Sequence, residues 1–123
     1  ARLFARGDTA MTAAECAAYM APFPDAGHRA ATRAFPPMVP EHPESDGAAI
    51  SREALAFWRD QWAGKTLMAI GMQDPVLGEP VMRGLQRVLR GCPEPLCLPA
   101  AGHFVQEQGE AIAQAALTHF NLT

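Results

Sequence analysis

Two short apolar runs flank one helical stripe, and few folds accommodate that arrangement. The first run spans Lys65 to Met72, and the second is the "EPLCLPA" that ends at Ala100. Almost every residue of the first is apolar, as expected of a strand covered on both faces. Between the runs, Val81, Met82, Leu85, Val88 and Leu89 fall on one helical face, with Pro80 near its start and Gly91 just past its end. A last helix is expected over roughly Phe104 to Phe120, with Val105, Ile112, Ala116, Leu117 and Phe120 turned inward and Glu107 and Glu110 near its positive end. The order is strand, helix, strand, helix. A crossover of this kind requires parallel strands and a right-handed connection, so the fold class is α/β.

Upstream, the chain changes character. Thr12-Ala13-Ala14-Glu15 reads as a capping box that opens a helix through Tyr19, which stops before Pro22. A second short helix is expected from about His28 to Ala34. The stretch "PPMVPEHPESDG" cannot hold either period and is a connecting loop. Ser51 is expected to start the next helix, with Ile50 and Leu55 forming a hydrophobic staple and Gly64 supplying a stop. Leu55, Trp58 and Trp62 share one face of that helix, the spacing of packing against a sheet.

Composition narrows the function classes. With 123 residues the chain makes at most one small domain, and 49% hydrophobic with 19% charged residues is a globular composition. The formal charge of −3 and the lack of a basic face argue against nucleic acid as a partner. No run approaches the roughly 18 apolar residues that span a bilayer, so no membrane partner is expected. Cys16, Cys92 and Cys97 are an odd set without metal-ligand spacing, which reads as reduced thiols in the cytoplasm. His28 and His42 lie in polar, proline-flanked surroundings, and no further ligands at usable spacing make a metal site of them. The methionines fall on apolar faces as core filler, and His119 suits the carboxyl end of the last helix. The chain begins Ala-Arg-Leu-Phe and is read as a piece of a longer protein.

Ligands of open parallel sheets bind outside the carboxyl ends of the strands. Asp74 follows the first strand directly and His103 the second, so both loops lie on one rim. Each residue alone has a plain structural reading: Asp74 before Pro75 is ordinary turn chemistry, and a histidine often caps a helix. Together they can form an Asp–His pair, in which the carboxylate fixes the imidazole tautomer and stabilises its protonated form.

The stretches "MAIGMQDPVLGEPVM", "GCPEPLCLPAAGHFVQEQGE", "AYMAPFPD" and "AFPPMVP" resemble the carboxyl-terminal part of haloalkane dehalogenases of the α/β-hydrolase fold. "ISREALAFWRDQWAGKT" falls between them in the order expected of that family. The resemblance implies that residues 1–40 end a helical cap, residues 41–47 are a proline-rich connector, and residues 48–123 are the carboxyl-terminal βαβα part of the core. It also implies a triad of aspartate nucleophile, aspartate acid and histidine base, with Asp74 the acid and His103 the base. A halogenated alkane would be converted to an alcohol and halide through an ester on the nucleophile, with water and no cofactor. Phe35, Pro36, Val39, Val76, Leu77 and Phe104 would line the substrate pocket; each has ordinary packing as its alternative.

The nucleophile elbow, the oxyanion-hole segment and the family's halide-binding donors have no counterpart in these residues. Trp58 and Trp62 are read as packing residues and not as halide donors. The acid and base would therefore complete an enzyme whose remaining, amino-terminal part lies upstream. A fragment of an epoxide hydrolase or serine esterase is the alternative within the fold, and a non-catalytic stand-alone fragment is the alternative outside it.

Overall fold

A computed structural model describes Gly7 and residues 10–122, so the rest of the first nine residues of the expected cap segment, and Thr123, lie outside the described part. The first helix, α1 (Ala13–Met20), begins at the capping box: the Glu15 amide donates to the Thr12 hydroxyl at 3.3 Å, and the Thr12 amide donates to the Glu15 carboxylate at 2.8 Å. Ala21 closes it, one residue before Pro22.

The next helix is shorter than its sequence pattern suggests. Asp25 takes the His28 amide on its side chain at 3.0 Å and the Arg29 amide on its carbonyl at 3.3 Å. That turn holds back the start of α2 (Ala30–Ala34), which leads into a 3-10 turn at Pro36–Met38.

Helix α3 (Ala48–Asp60) corrects the expected start at Ser51. Gly47, at φ 82°, is its N-cap and offers no side chain to the helix. Ile50 thus lies inside the first turn and is 72% exposed, so it does not staple onto Leu55. The chain instead reaches the helix through a turn in which Ser45 accepts the His42 amide on its hydroxyl and the Ala48 amide on its carbonyl. Trp58 and Trp62 do share a face, with ring centroids 4.8 Å apart, and the Trp62 indole donates to Thr66 at 2.9 Å.

The two strands are β1 (Ala69–Gly71) and β2 (Leu96–Leu98), parallel, with Ile70 opposite Cys97. Both are far shorter than the apolar runs that contain them. Pairing sets strand length, and the ladder extends only by the Leu96 amide to the Met68 carbonyl and the Met72 amide to the Leu98 carbonyl. Ile70 is 1% exposed and stands with Met68, Leu98 and Ala101 at the centre of the core.

Helix α4 (Glu79–Val88) crosses between the strands, with Pro80 in its first turn and Gly91 at φ 70° beyond its end. Its apolar stripe is only partly covered: Met82, Val88 and Leu89 are half-buried, while Val81 and Leu85 are exposed. On the same helix, Arg83 bonds Glu94 at 2.5 Å and Gln86 at 3.1 Å and lies 3.4 Å from Glu79, tying α4 to the approach of β2. The expected last helix divides into a 3-10 segment, Val105–Gln108, and α5 (Gly109–Phe120). The architecture is α/β: helices and a two-stranded parallel sheet, a partial sheet core entered through a helical segment.

Candidate active site

Gly71 decides where the two strand-end loops can lie. A Cβ at that position would stand 2.4 Å from the Gly102 carbonyl oxygen and 3.0 Å from that of Ala101. The loop after β2 therefore passes directly over the end of β1, an approach open only to glycine. Backbone and side chain of Gln73 secure the crossing, the amide donating to Ala101 and the side chain to Pro99, both at 3.0 Å.

The loop after β1 folds back on itself. The Asp74 amide donates to the Gly71 carbonyl at 3.1 Å, and the Asp74 carboxylate accepts the Val76 amide at 2.8 Å in an Asx-type turn around Pro75. A Cβ on Gly78 would meet the Asp74 carbonyl at 2.3 Å, so the return of the chain also requires glycine. The turn reading of Asp74 is correct as far as it goes. The same carboxylate also faces His103.

His103 Nδ1 lies 3.0 Å from each carboxylate oxygen of Asp74. The carboxylate is 5% exposed and the imidazole 34% exposed, which leaves the pair braced from within and open to a reactant from outside. Burial on its own pushes the Asp74 carboxyl up. The Val76 amide, the His103 side chain and the Leu77 amide outweigh it and hold the group below the ordinary carboxylate value. An ionised carboxylate only accepts, so Nδ1 carries a ring proton, and in the neutral tautomer of that geometry the lone pair is on Nε2. A ring held in this way can accept a proton at Nε2 while the carboxylate keeps its orientation. His103 does not cap the following segment; Phe104 occupies that position, without a side-chain cap bond.

The six expected wall residues are not gathered into one lining. Phe35 and Val39 are 66% and 64% exposed, and Pro36, Val76 and Leu77 are exposed as well. Val39 borders a depression of about 780 Å³ with Met38, His42 and Asp46. Phe104 instead lines a separate apolar cleft of about 370 Å³ with Met11, Cys16, Tyr19 and Phe23. His28, expected to be a solvated surface residue, is exposed but lies 2.8 Å from Asp25. Among the described residues no group of histidine, cysteine and carboxylate side chains could hold a metal ion.

Three residues near the pair carry contacts that sequence reasoning missed. The Tyr19 hydroxyl donates to the Glu107 carboxylate and accepts from the Gln106 side chain at 3.1 Å, and its ring lies 5.4 Å from that of Phe104. Glu107 reads in sequence as a helix-dipole residue. A lone tyrosine among alanines was the available signal.

Sequence comparison finds relatives along most of this chain. It is 35% identical over 107 residues to haloalkane dehalogenase 1 of Mycobacterium tuberculosis (strain ATCC 25618 / H37Rv), covering 83% of the chain and 34% of that protein. It is 32% identical over 109 residues to the haloalkane dehalogenase of Psychrobacter cryohalolentis, covering 86% and 35%. Its fold superimposes on a haloalkane dehalogenase of Paraglaciecola agarilytica NO2, solved as a tetramer, with a TM-score of 0.84 and 41% identity over 92% of this chain and 38% of that one. This chain is a haloalkane dehalogenase relative. It spans about a third of the length of the curated relatives it matches, which fits a carboxyl-terminal portion of such a dehalogenase. No family model matches the chain. The dehalogenase relatives and the partial parallel sheet agree on the α/β-hydrolase fold.

Proposed function

We propose that this chain supplies the acid and base of a hydrolytic haloalkane dehalogenase. The contact of His103 Nδ1 with both oxygens of Asp74 carries the proposal. In the proposed reaction a carboxylate nucleophile from outside this chain attacks the halogen-bearing carbon. A carbon–oxygen bond forms as the carbon–halogen bond breaks, and halide leaves with the electron pair. That step needs no base, because the nucleophile is already ionised.

His103 acts in the second step. Its Nε2 takes a proton from water, and the resulting hydroxide equivalent adds to the carbonyl carbon of the alkyl ester. The tetrahedral adduct then collapses to the alcohol, which keeps the second proton of the water, and the regenerated carboxylate, and His103 releases the proton it took to solvent. Asp74 holds the ring through Nδ1 and stabilises the imidazolium that forms. Residues 1–40 serve as the end of a helical cap, residues 41–47 as the connector, and residues 48–123 as part of the core. Phe35, Pro36, Val39, Val76, Leu77 and Phe104 face the substrate between cap and core; the exposure of Phe35, Pro36, Val39, Val76 and Leu77 supports that reading, while Phe104 is half-buried in the cleft beside Tyr19. The partner is the amino-terminal part of the same enzyme; without it the chain releases no halide. Cys16, Cys92 and Cys97 are all free, which supports a reducing compartment, the cytoplasm.

The test is halide release from a short bromoalkane by the complete gene product and its His103→Gln variant. The variant should release about one halide per enzyme and then stall as the ester. Turnover equal to the unaltered enzyme would remove His103 from the reaction.

A further inference from the structure

Glu107 lies in the 3-10 turn directly after the loop that carries His103, yet its side chain bonds a residue of the first helix. The Tyr19 hydroxyl donates to Glu107 and accepts from Gln106 at 3.1 Å. The Tyr19 and Phe104 rings lie 5.4 Å apart at 40°, and the Phe104 and His103 rings lie 6.0 Å apart at 39°. The Glu107 amide donates to the Phe104 carbonyl at 3.0 Å, so the segment is also closed on itself. Three of the four residues that follow His103 thus converge on one phenol, 84 positions away from the histidine in the chain.

The other side of the loop rests on β1 through Gly71 and Gln73. Val105 of the 3-10 turn also packs against β1, its Cγ1 lying 3.2 Å from where a Cβ on Gly71 would stand. Tyr19 adds an anchor from outside the core to the segment that follows His103, beyond the Asp74 contact and the passage over β1. The bond to Glu107 is charge-assisted, the stronger class of hydrogen bond. Helix α1 is well suited to hold the phenol, since its capping box secures its first turn.

We propose that Tyr19 is a positioning residue for His103, acting through Glu107, Gln106 and Phe104 to hold the imidazole in the Nδ1–H tautomer against Asp74. The proposal rests on His103 being the base. It makes the competence of the base depend on the docking of α1, so that the helical segment and the core loop report on one another.

The test is the tautomer ratio of the neutral His103 ring, read from imidazole ¹⁵N shifts in the complete gene product. In Tyr19→Phe, which keeps the ring against Phe104, the ratio of Nδ1–H to Nε2–H should fall by about threefold to tenfold, the ceiling being the effect of one hydrogen bond to a charged group. Exchange of the Leu96 amide, at the far end of the sheet, should stay within about twofold of the unaltered chain, because a merely structural role would change it too. Glu107→Gln keeps an acceptor and should retain most of the ratio. If Tyr19→Phe does not fold, Gln106→Ala decides, with a fall of about threefold expected. An unchanged ratio in the variant that decides, or a loss of Leu96 protection in step with it, overturns the proposal. A shifted ratio beside normal turnover of His103→Gln would defeat the base assignment and leave the Tyr19 link standing.

Discussion

Asp74 holds His103 by both carboxylate oxygens at 3.0 Å, across two loops that chain separation places 29 residues apart. The pair depends on its carboxylate being ionised and its imidazole being turned with Nδ1 inward. Replacing Asp74 by Asn leaves a group that can donate as well as accept, and the ring loses its fixed tautomer. Steady-state halide release by the complete gene product should fall about 10²- to 10⁴-fold in Asp74→Asn, the usual range for a lost general-base contribution. The first halide released per enzyme should survive, and rapid-quench measurement of that burst against the steady rate checks both statements.

The depressed Asp74 carboxyl makes stability depend on pH with a definite sign. A carboxylate whose folded value lies below its unfolded one stabilises the fold fully above the unfolded value. That contribution drains away as pH falls through the folded value. The advantage of the unaltered chain over Asp74→Asn should therefore be complete above about pH 4 and shrink steadily below it. Urea midpoints of the two chains at pH 6 and pH 3 test this; a constant difference would contradict it.

Gly71 is the position where a single methyl group should do most damage to the site. The Cβ of Gly71→Ala would meet two carbonyl oxygens of backbone, which cannot rotate away as a side chain could. A cost of about 1–3 kcal/mol is expected from overpacking. Because the displaced loop carries His103, the His103 ring signals should move with it. Urea unfolding and an NMR comparison of His103 would show the two effects together.

Thr12→Ala removes the hydroxyl that accepts the Glu15 amide. The expected loss is about 1 kcal/mol, felt locally at α1. Amide exchange should quicken over Ala13 to Ala17 with little change in β1 and β2, and uniform quickening throughout would argue that α1 unfolds only with the whole chain.

The sheet has two strands, and a two-stranded unit is marginal without more partners. Phe35, Met38, Val39 and Ile50 are each more than 60% exposed. The chain on its own should be weakly stable or self-associate, giving a sedimentation coefficient that rises with concentration. A sharp, concentration-independent melt of a monomer would contradict this.

Local chemistry was readable residue by residue. The Thr12–Glu15 capping box satisfies backbone groups at the start of α1, Pro80 in the first turn of α4 removes an amide that would have no partner there, and Gly91 beyond its end takes a left-handed turn, so neighbours in sequence suffice for each. The parallel order of β1 and β2, and with it the rim shared by Asp74 and His103, followed from the crossover helix between them. Element ends were less legible. The start of α3 moved to Ala48 because Gly47 takes a left-handed conformation that any turn pattern around Ser45 permits but none demands. The strands shrank to three residues each because their length is set by a pairing partner and not by the apolar run.

The pattern of apolar residues and turn formers was enough to specify an α/β crossover with a carboxylate and an imidazole at the strand ends, since those signals act over a few residues. Folding in three dimensions alone decided the 3.0 Å contact between them, the close passage over Gly71, and the reach of Tyr19 to Glu107. These relations join residues 29 to 88 positions apart, and no periodicity in a chain encodes the distance between groups that only packing brings together.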